Sequence, residues 1–258
     1  MATWRDQVAL VTGGGRGIGR AIARRLAREG AAVCVNYRER ADAAESLVAD
    51  IRGHGGRAIS VAADVADDAA VEGMVDQIAA AFGAVTILVN NAGLSDRFRL
   101  ENFDAGRLDA MRRVNVDGLI HTTRAVMSEM RRQKYGRIVN ITSIAAFGTS
   151  LPDNAFYAAT KAEAQILTRR FAMELGPFGI TVNAVAPGFI DTELARGDAD
   201  DDAWREITAR IGALGMIGRI GDVEDVANAV TFLADPESGF VTAQVLAVDG
   251  GRMDYLGH

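Results

Sequence analysis

The sequence predicts an α/β fold: a single doubly wound domain over residues 1–258, with a mainly parallel seven-stranded sheet and helices on both faces. Three observations carry this. Short apolar runs rich in Val and Ile alternate with longer segments of helical period along the whole chain. The runs are apolar on both sides rather than alternating apolar with polar, as strands covered by helices on each face must be. The chain, 258 residues and 49% hydrophobic, holds enough apolar material for one large core, and no repeat, low-complexity stretch or linker divides it.

Strands are expected at 7–11, 31–36, 57–62, 86–90, 136–141, 180–185 and 245–249, and helices at about 17–29, 39–53, 67–82, 103–133, 156–175 and 222–234. Regular strand–helix alternation implies right-handed crossovers between parallel strands. Residues from Asp191 to Gly221 break the alternation with scattered glycines and the acidic run Asp198-Ala-Asp-Asp-Asp202, and read as a lid inserted over one end of the sheet. Within it Trp204, Ile207, Ile211, Leu214 and Met216 form either an apolar wall of a substrate pocket or the buried stripe of an amphipathic helix.

Composition excludes several classes. A formal net charge of -6 argues against nucleic-acid binding, which calls for a basic face. No apolar stretch of the ~18–20 residues that a membrane span needs is present, and Val8–Val11 is too short for the core of a signal peptide. The single cysteine, Cys34, forbids an internal disulfide and suits a small core residue in a strand. A cytoplasmic protein is expected. No His or Cys stands near the acidic run, so no metal site is expected there.

Thr12-Gly-Gly-Gly-Arg-Gly-Ile-Gly19 follows the first expected strand and opens the first expected helix. Glycine allows a tight turn and close backbone approach, and the helix N-terminus behind it offers free N–H groups and a positive dipole end to a pyrophosphate. Gly13, Gly17 and Gly19 carry the pattern, with Gly15, Arg16 and Ile18 between them, which marks a Rossmann-type dinucleotide site. About 20 residues further on, where an NAD site places a carboxylate for the ribose diol, the chain reads Asn36-Tyr37-Arg38. Arg38, with Arg16 in the turn, suits the 2′-phosphate of NADP(H). NADP(H) is favoured, and NAD(H) stays open.

Tyr157 and Lys161 stand four apart in an expected helix and so project from one face. A phenol beside an ammonium at ~4 Å, with an effective dielectric of ~20, gains at most about 4 kcal/mol for its ionised form. That is enough to draw a tyrosine toward neutrality, as a general acid/base for a carbonyl or alcohol oxygen requires. Asn115, in Val114-Asn-Val-Asp117, sits mid-helix at a cost of about half a kcal/mol relative to Ala, which hints at a task there.

Taken together, Thr12–Gly19, Asn90-Asn91-Ala92-Gly93, Asn115, Ser143, Tyr157 with Lys161, Pro187-Gly188 and the ending Val248-Asp-Gly-Gly251 resemble the short-chain dehydrogenase/reductases over the whole chain, and most of all the 3-oxoacyl-[acyl-carrier-protein] reductases and their relatives. The resemblance implies hydride transfer between a nicotinamide and a ketone or secondary alcohol. Tyr157 would be the proton donor, Ser143 the residue holding the carbonyl, Lys161 the ribose-binding residue and Asn115 the residue ordering a water relay. It also implies that Asp64 and Val65 meet the adenine, that Asn91, Ala92 and Gly93 line the ribose side, and that Pro187, Gly188, Ile190 and Thr192 face the carboxamide. The alternative for Asp64 and Asn90 is that of simple turn residues.

The substrate class so implied is a 3-oxoacyl thioester. Sugar, steroid-like or aromatic ketones are the alternative, and a non-catalytic dinucleotide-sensing protein is a third reading. Relatives of this kind are usually homotetramers, and an acyl carrier protein is a further candidate partner. Pro177-Phe178-Gly179 is apolar where such reductases often carry a basic residue, although Arg131, Arg132 and Lys134 supply charge nearby. Arg97 and Arg99, in the segment Leu94–Leu100, are candidates for receiving an anionic substrate. Thr142 stands where a second serine is common, and Ala243 where glycine is.

Overall fold

A computed structural model describes residues 3–255 of the chain. Its strands are β1 (Val8–Val11), β2 (Ala32–Tyr37), β3 (Arg57–Ala62), β4 (Ile87–Asn90), β5 (Gly136–Ile141), β6 (Ile180–Pro187) and β7 (Val245–Val248). They form one sheet in the order β3-β2-β1-β4-β5-β6-β7, every neighbouring pair parallel. The order reverses between β1 and β4, so a crevice opens at the carboxyl ends of those two strands.

The longer helices are α1 (Gly17–Glu29), α2 (Ala41–Gly53), α3 (Asp68–Phe82), α4 (Ala105–Arg112), α5 (Gly118–Gln133), α6 (Ala155–Leu175), α8 (Asp201–Gly212) and α9 (Val223–Ala234), with a single turn, α7 (Glu193–Arg196), before α8. The pleat divides β1 by parity. Ala9 and Val11 join Ile22 and Leu26 of α1, Leu47 of α2 and Val226 and Val230 of α9, while Val8 and Leu10 join Met74 and Ile78 of α3, Met130 of α5 and Leu175 of α6. Each fully buried Leu or Ile contributes about 1.5–3 kcal/mol relative to leaving it exposed. Cys34 belongs to the second layer at 0% exposure, and burial pushes its thiol up to about 12, which makes it an inert core residue.

The expected helix over 103–133 is interrupted. Between α4 and α5, residues Arg113–Asp117 form one turn of π-helix centred on Asn115. Wide turns of this kind collect at functional sites, and the cause here is visible. The Asn115 carboxamide accepts a hydrogen bond from Leu94 N–H at 2.8 Å and donates to Leu94 O at 2.9 Å and Thr160 Oγ1 at 3.0 Å. One side chain thus ties the helix to the loop after β4 and to α6.

The inserted segment folds as α7 and α8. Its acidic run begins a helix rather than a solvated coil: Asp200 caps α8 by accepting from Asp202 N–H at 3.1 Å and Ala203 N–H at 2.9 Å, Asp201 pairs with Arg196, and Asp202 pairs with Arg205. Trp204 and Ile211 are buried, with the Trp204 ring 5.9 Å from that of Phe189. Met216 faces solvent. Trp204, Ile207, Ile211, Leu214 and Met216 all stand outside the lining of the main cleft, and the stripe is buried at Trp204 and Ile211, half-buried at Ile207 and Leu214 and open at Met216.

The last described residues fold back over the loop that follows β5. Arg252 bridges to Gly215, and Tyr255 to Thr149, in antiparallel pairs. Among the described residues no helix is long and apolar enough to cross a membrane.

Candidate active site

The glycine-rich turn is built to bring backbone close to a ligand. Gly13 and Gly17 hold φ of +60° and +52°, a region that side-chain-bearing residues rarely enter. A Cβ on Gly19 would lie 2.4 Å from Gly13 O and 2.5 Å from the Asn91 amide, so any larger residue displaces the turn from the loop after β4. That contact is reinforced by Asn91 Nδ2, which donates to Thr12 O at 2.9 Å and Gly13 O at 3.1 Å. Asn36 fixes the other flank: its Oδ1 accepts from Gly13 N–H at 3.2 Å and its Nδ2 donates to Ala63 O at 3.0 Å. α1 begins at Gly17 with no side chain capping it, which leaves its first N–H groups pointing toward the crevice.

A cleft of about 700 Å³ runs along this edge of the sheet. Its walls include Gly13, Gly15, Arg16, Gly17, Ile18 and Gly19 at the turn. Asn36, Tyr37, Arg38, Asp64 and Val65 line it beyond β2 and β3, and Asn91, Ala92 and Gly93 beyond β4. Ser143, Tyr157, Lys161, Pro187, Gly188, Ile190 and Thr192 complete the wall opposite. The residues expected to hold a cofactor are therefore gathered on one surface, and its volume and close glycine backbone fit a dinucleotide. Asn90 is the exception among the neighbours singled out. It is 6% exposed and turns beneath the cleft, donating to Asn140 Oδ1 at 2.9 Å and accepting from Thr122 Oγ1 at 2.6 Å.

At the adenosine end Arg38 is already engaged. It pairs with Glu39 beside it and lies 3.9 Å from Asp64. Glu39 was not anticipated from sequence, because it stands two positions past the end of β2, where a diol-binding carboxylate is sought. Arg252 was missed as well. It lines the far end of the cleft only because Gly250 and Gly251, at φ of +66° and +71°, turn the chain back toward β5.

Ser143 lies just past the end of β5 and caps a short 3-10 turn, Ile144–Phe147, its Oγ accepting from Ala145 N–H at 3.1 Å. Tyr157 occupies the first turn of α6, one helical turn before Lys161. The Lys161 Nζ lies 5.8 Å from the Tyr157 ring centroid and donates to Ile141 O at 3.0 Å. Asn115 completes the group from the π turn. A Cβ on Gly93 would sit 3.3 Å from both Asn115 Oδ1 and Lys161 Nζ, which shows how closely the two converge. Behind the lysine a pocket of about 10 Å³ is lined by Asn90, Asn115, Lys161 and Thr12 among others, close to the volume that one water needs.

The electrostatics of the protein alone run against the simple expectation for the phenol. Burial raises the Tyr157 pKa, with the Ser143 hydroxyl and the Arg97 charge opposing it. Burial also lowers Lys161 to about 8. The reason is geometric: the ammonium lies at the ring and is spent on a backbone carbonyl, and both groups lose water.

Residues 13–252 match a family model described as enoyl-(acyl carrier protein) reductase. The short-chain reductase protein NovJ of Streptomyces niveus is 44% identical over 258 residues, 98% of this chain and 96% of that protein. The 3-oxoacyl-[acyl-carrier-protein] reductase FabG of Staphylococcus epidermidis is 40% identical over 250 residues, 95% of this chain and 98% of that one. Among solved structures, a short-chain dehydrogenase/reductase from Serratia marcescens superposes with a TM-score of 0.90 at 38% identity, covering 98% of this chain and 100% of its own. A gluconate 5-dehydrogenase from Burkholderia cenocepacia, in complex with NADP and tartrate, gives 0.86 at 38% identity, covering 95% and 94%. With the sheet order, the glycine turn and the Ser143, Tyr157 and Lys161 cluster in place, the chain belongs to the short-chain dehydrogenase/reductase family of oxidoreductases, with 3-oxoacyl-[acyl-carrier-protein] reductases among its relatives.

Proposed function

We propose that the protein is an NADP(H)-dependent oxidoreductase of ketones and secondary alcohols, with 3-oxoacyl thioesters as its leading substrate class. The observation that carries this reading is that Ser143, Tyr157 and Lys161 open onto the same cleft as the glycine turn. A reduced nicotinamide bound there supplies the hydride. The chain's own residues then have defined tasks. Ser143 Oγ and Tyr157 Oη hold the substrate carbonyl, and the phenol donates its proton to the oxygen as charge develops on it. A phenol raised by burial stays protonated until that moment, which suits the reductive direction. Lys161 binds ribose hydroxyls and, with Asn115 and the small pocket behind it, reprotonates the phenol.

Arg16 and Arg38 favour NADP(H), and the NADP in the gluconate 5-dehydrogenase neighbour is consistent with it. A 2′-phosphate would compete with Glu39 and Asp64 for Arg38. The thioester preference draws on the 40% identity to a 3-oxoacyl reductase. Against docking of an acyl carrier protein stand the pairing of Arg132 with Glu129 and the placement of Arg131 4.9 Å over the Phe178 ring. Reduction of sugar, steroid-like or aromatic ketones is the second reading, favoured by the tartrate-bound neighbour. A tetramer formed by the α4–α5 and α6 faces belongs to the proposal, since Ile166 and Met173 stand 55% and 69% exposed on α6. A monomeric mass in light scattering would remove it. A cytoplasmic location is likewise part of the proposal.

The deciding experiment is a substrate panel with NADPH and NADH, setting acetoacetyl and longer 3-oxoacyl thioesters against cyclic, sugar and aryl ketones. Thioester-dependent oxidation of NADPH over NADH supports the proposal. Turnover confined to sugar or aryl ketones replaces its substrate class, and no turnover with any member returns the chain to a dinucleotide-sensing role.

A further inference from the structure

The loop after β4 brings the exposed Arg97 into the lining of the cleft, and its backbone is anchored on both sides of that residue. Asp96 pairs with Arg107 through two hydrogen bonds, one of them 2.6 Å from Nε. Arg107 also donates to Arg97 O at 3.2 Å and lies 4.4 Å over the Phe98 ring. Phe98 stacks on Phe156 at 4.7 Å, and its N–H donates to Asp153 O at 3.1 Å. Phe156 immediately precedes Tyr157, so the loop and the phenol share one mount. Arg97, between the two anchored neighbours, lines the same cleft as Ser143 and Tyr157.

The charges around it are unevenly matched. Arg99 pairs with Asp153 at 2.6 Å and Glu101 at 3.8 Å, Arg107 with Asp96, and Arg252 with Asp254 at 3.0 Å. Among the described residues no carboxylate stands within ion-pair distance of Arg97. The acidic side chains of the cleft, Glu39, Asp64 and Glu193, belong to the end occupied by Arg38 and Arg40. A guanidinium is a planar fork matched to an oxyanion, and it binds one more strongly where a ligand excludes water.

We propose that Arg97 is a specificity-determining residue that selects ketones carrying a carboxylate close to the reacting carbonyl. The inference rests on the reductase reading of the same cleft, and its success puts keto acids in place of 3-oxoacyl thioesters as the substrate class. Arg97 shares the wall of the cleft with Ser143 and Tyr157, the two side chains that would hold the reacting carbonyl. The phosphate of a phosphopantetheine arm offers the same oxyanion chemistry, but it lies a whole pantetheine arm from the reacting carbonyl.

The test measures NADPH oxidation by the full chain with acetoacetate, 4-oxopentanoate and 5-oxohexanoate against their methyl esters, and with acetoacetyl-CoA against the acetoacetyl thioester of N-acetylcysteamine. In the unaltered protein the acid-over-ester ratio of kcat/KM is expected to reach roughly tenfold or more for at least one pair, the effect of one charged hydrogen-bonded contact. It is expected to shrink as ionic strength rises. The ratio should fall to within about threefold of unity in Arg97→Gln, persist in part in Arg97→Lys and drop below one in Arg97→Glu, on the same scale. A ratio near one in the unaltered protein, or one that survives Arg97→Gln, overturns the inference. Preference for the CoA thioester without preference for the acids assigns the oxyanion to the phosphate and overturns it too. Turnover of esters with no gain for acids leaves the reductase reading intact, whereas no turnover of any member removes both.

Discussion

Lys161 stands beneath Tyr157, its Nζ 5.8 Å from the ring centroid and its proton given to Ile141 O at 3.0 Å. The ammonium is 5% exposed in relative terms, and burial brings its pKa from 10.5 to about 8. Below pH 8 both the folded and the unfolded chain carry that proton, and the folded state bears the full desolvation cost. Between pH 8 and 10.5 the unfolded chain binds more protons than the folded one, so the cost is relieved as pH rises. The whole effect is on the order of 3 kcal/mol. Chemical denaturation of cofactor-free protein and of Lys161→Met, at several pH values, checks this. The variant is expected to be the more stable below pH 8, with its advantage shrinking toward pH 10.5. An advantage that does not change with pH would contradict the assignment.

Gly19 touches the turn and the loop after β4 at once. A methyl group there meets Gly13 O at 2.4 Å and Asn91 Nδ2 at 2.5 Å, both held by other hydrogen bonds. Gly19→Ala is expected to weaken NADPH binding at least roughly tenfold, since overpacking of ~1–3 kcal/mol must be relieved by moving the turn. Fluorescence titration measures it, and unchanged affinity would mean that the turn does not contact the cofactor.

Arg38 separates the two nicotinamide cofactors. Arg38→Ala is expected to lower kcat/KM for NADPH about 10- to 100-fold, the range of a charge-assisted contact, while NADH changes little. An equal loss with both would assign Arg38 to the fold through Glu39 and Asp64 rather than to the phosphate.

Ala243 holds φ of +61°, beside the second core layer. The family resemblance leads one to expect glycine at this position, and the left-handed backbone supplies a physical reason: a Cβ there costs about 1–2 kcal/mol. Ala243→Gly recovers that strain less the entropy of a glycine, about 0.5–1 kcal/mol, so a net gain of roughly 1 kcal/mol, or 2–4 °C in Tm, is expected. Calorimetry that finds a lower Tm would place the strain elsewhere.

Much of this site was legible in the sequence because its parts are local. The glycine turn is a contiguous run, and Tyr157 with Lys161 is a helical i, i+4 pair, so chain order alone brings each together. The parallel strands are short and apolar on both faces, so their number was legible, whereas their order came only from the structure. Asn115 was visible as a misfit within a helix, but the π turn it creates was not, since it depends on Leu94 and Thr160, residues brought to it only by the fold. Arg252 escaped for the same reason, and Glu39 because it stands beyond the strand end at which a diol-binding carboxylate is sought. Residues 191–221 interrupt the strand–helix alternation with α7 and α8, yet an amphipathic stripe such as Trp204 and Ile211 does not say which surface it meets. The upward shift of the phenol in the protein alone was not legible, because spacing gives proximity and not solvation.

The central claim is that Tyr157 hands a proton to a ketone oxygen beside a bound nicotinamide. Tyr157→Phe removes one oxygen atom and keeps the ring above Lys161. Ketone-dependent NADPH oxidation and the NADPH dissociation constant, measured on the same preparations, test it directly. Loss of roughly 10²- to 10⁴-fold in kcat with cofactor affinity held within a small factor is the expected result. Undiminished turnover by the Phe variant would contradict the account.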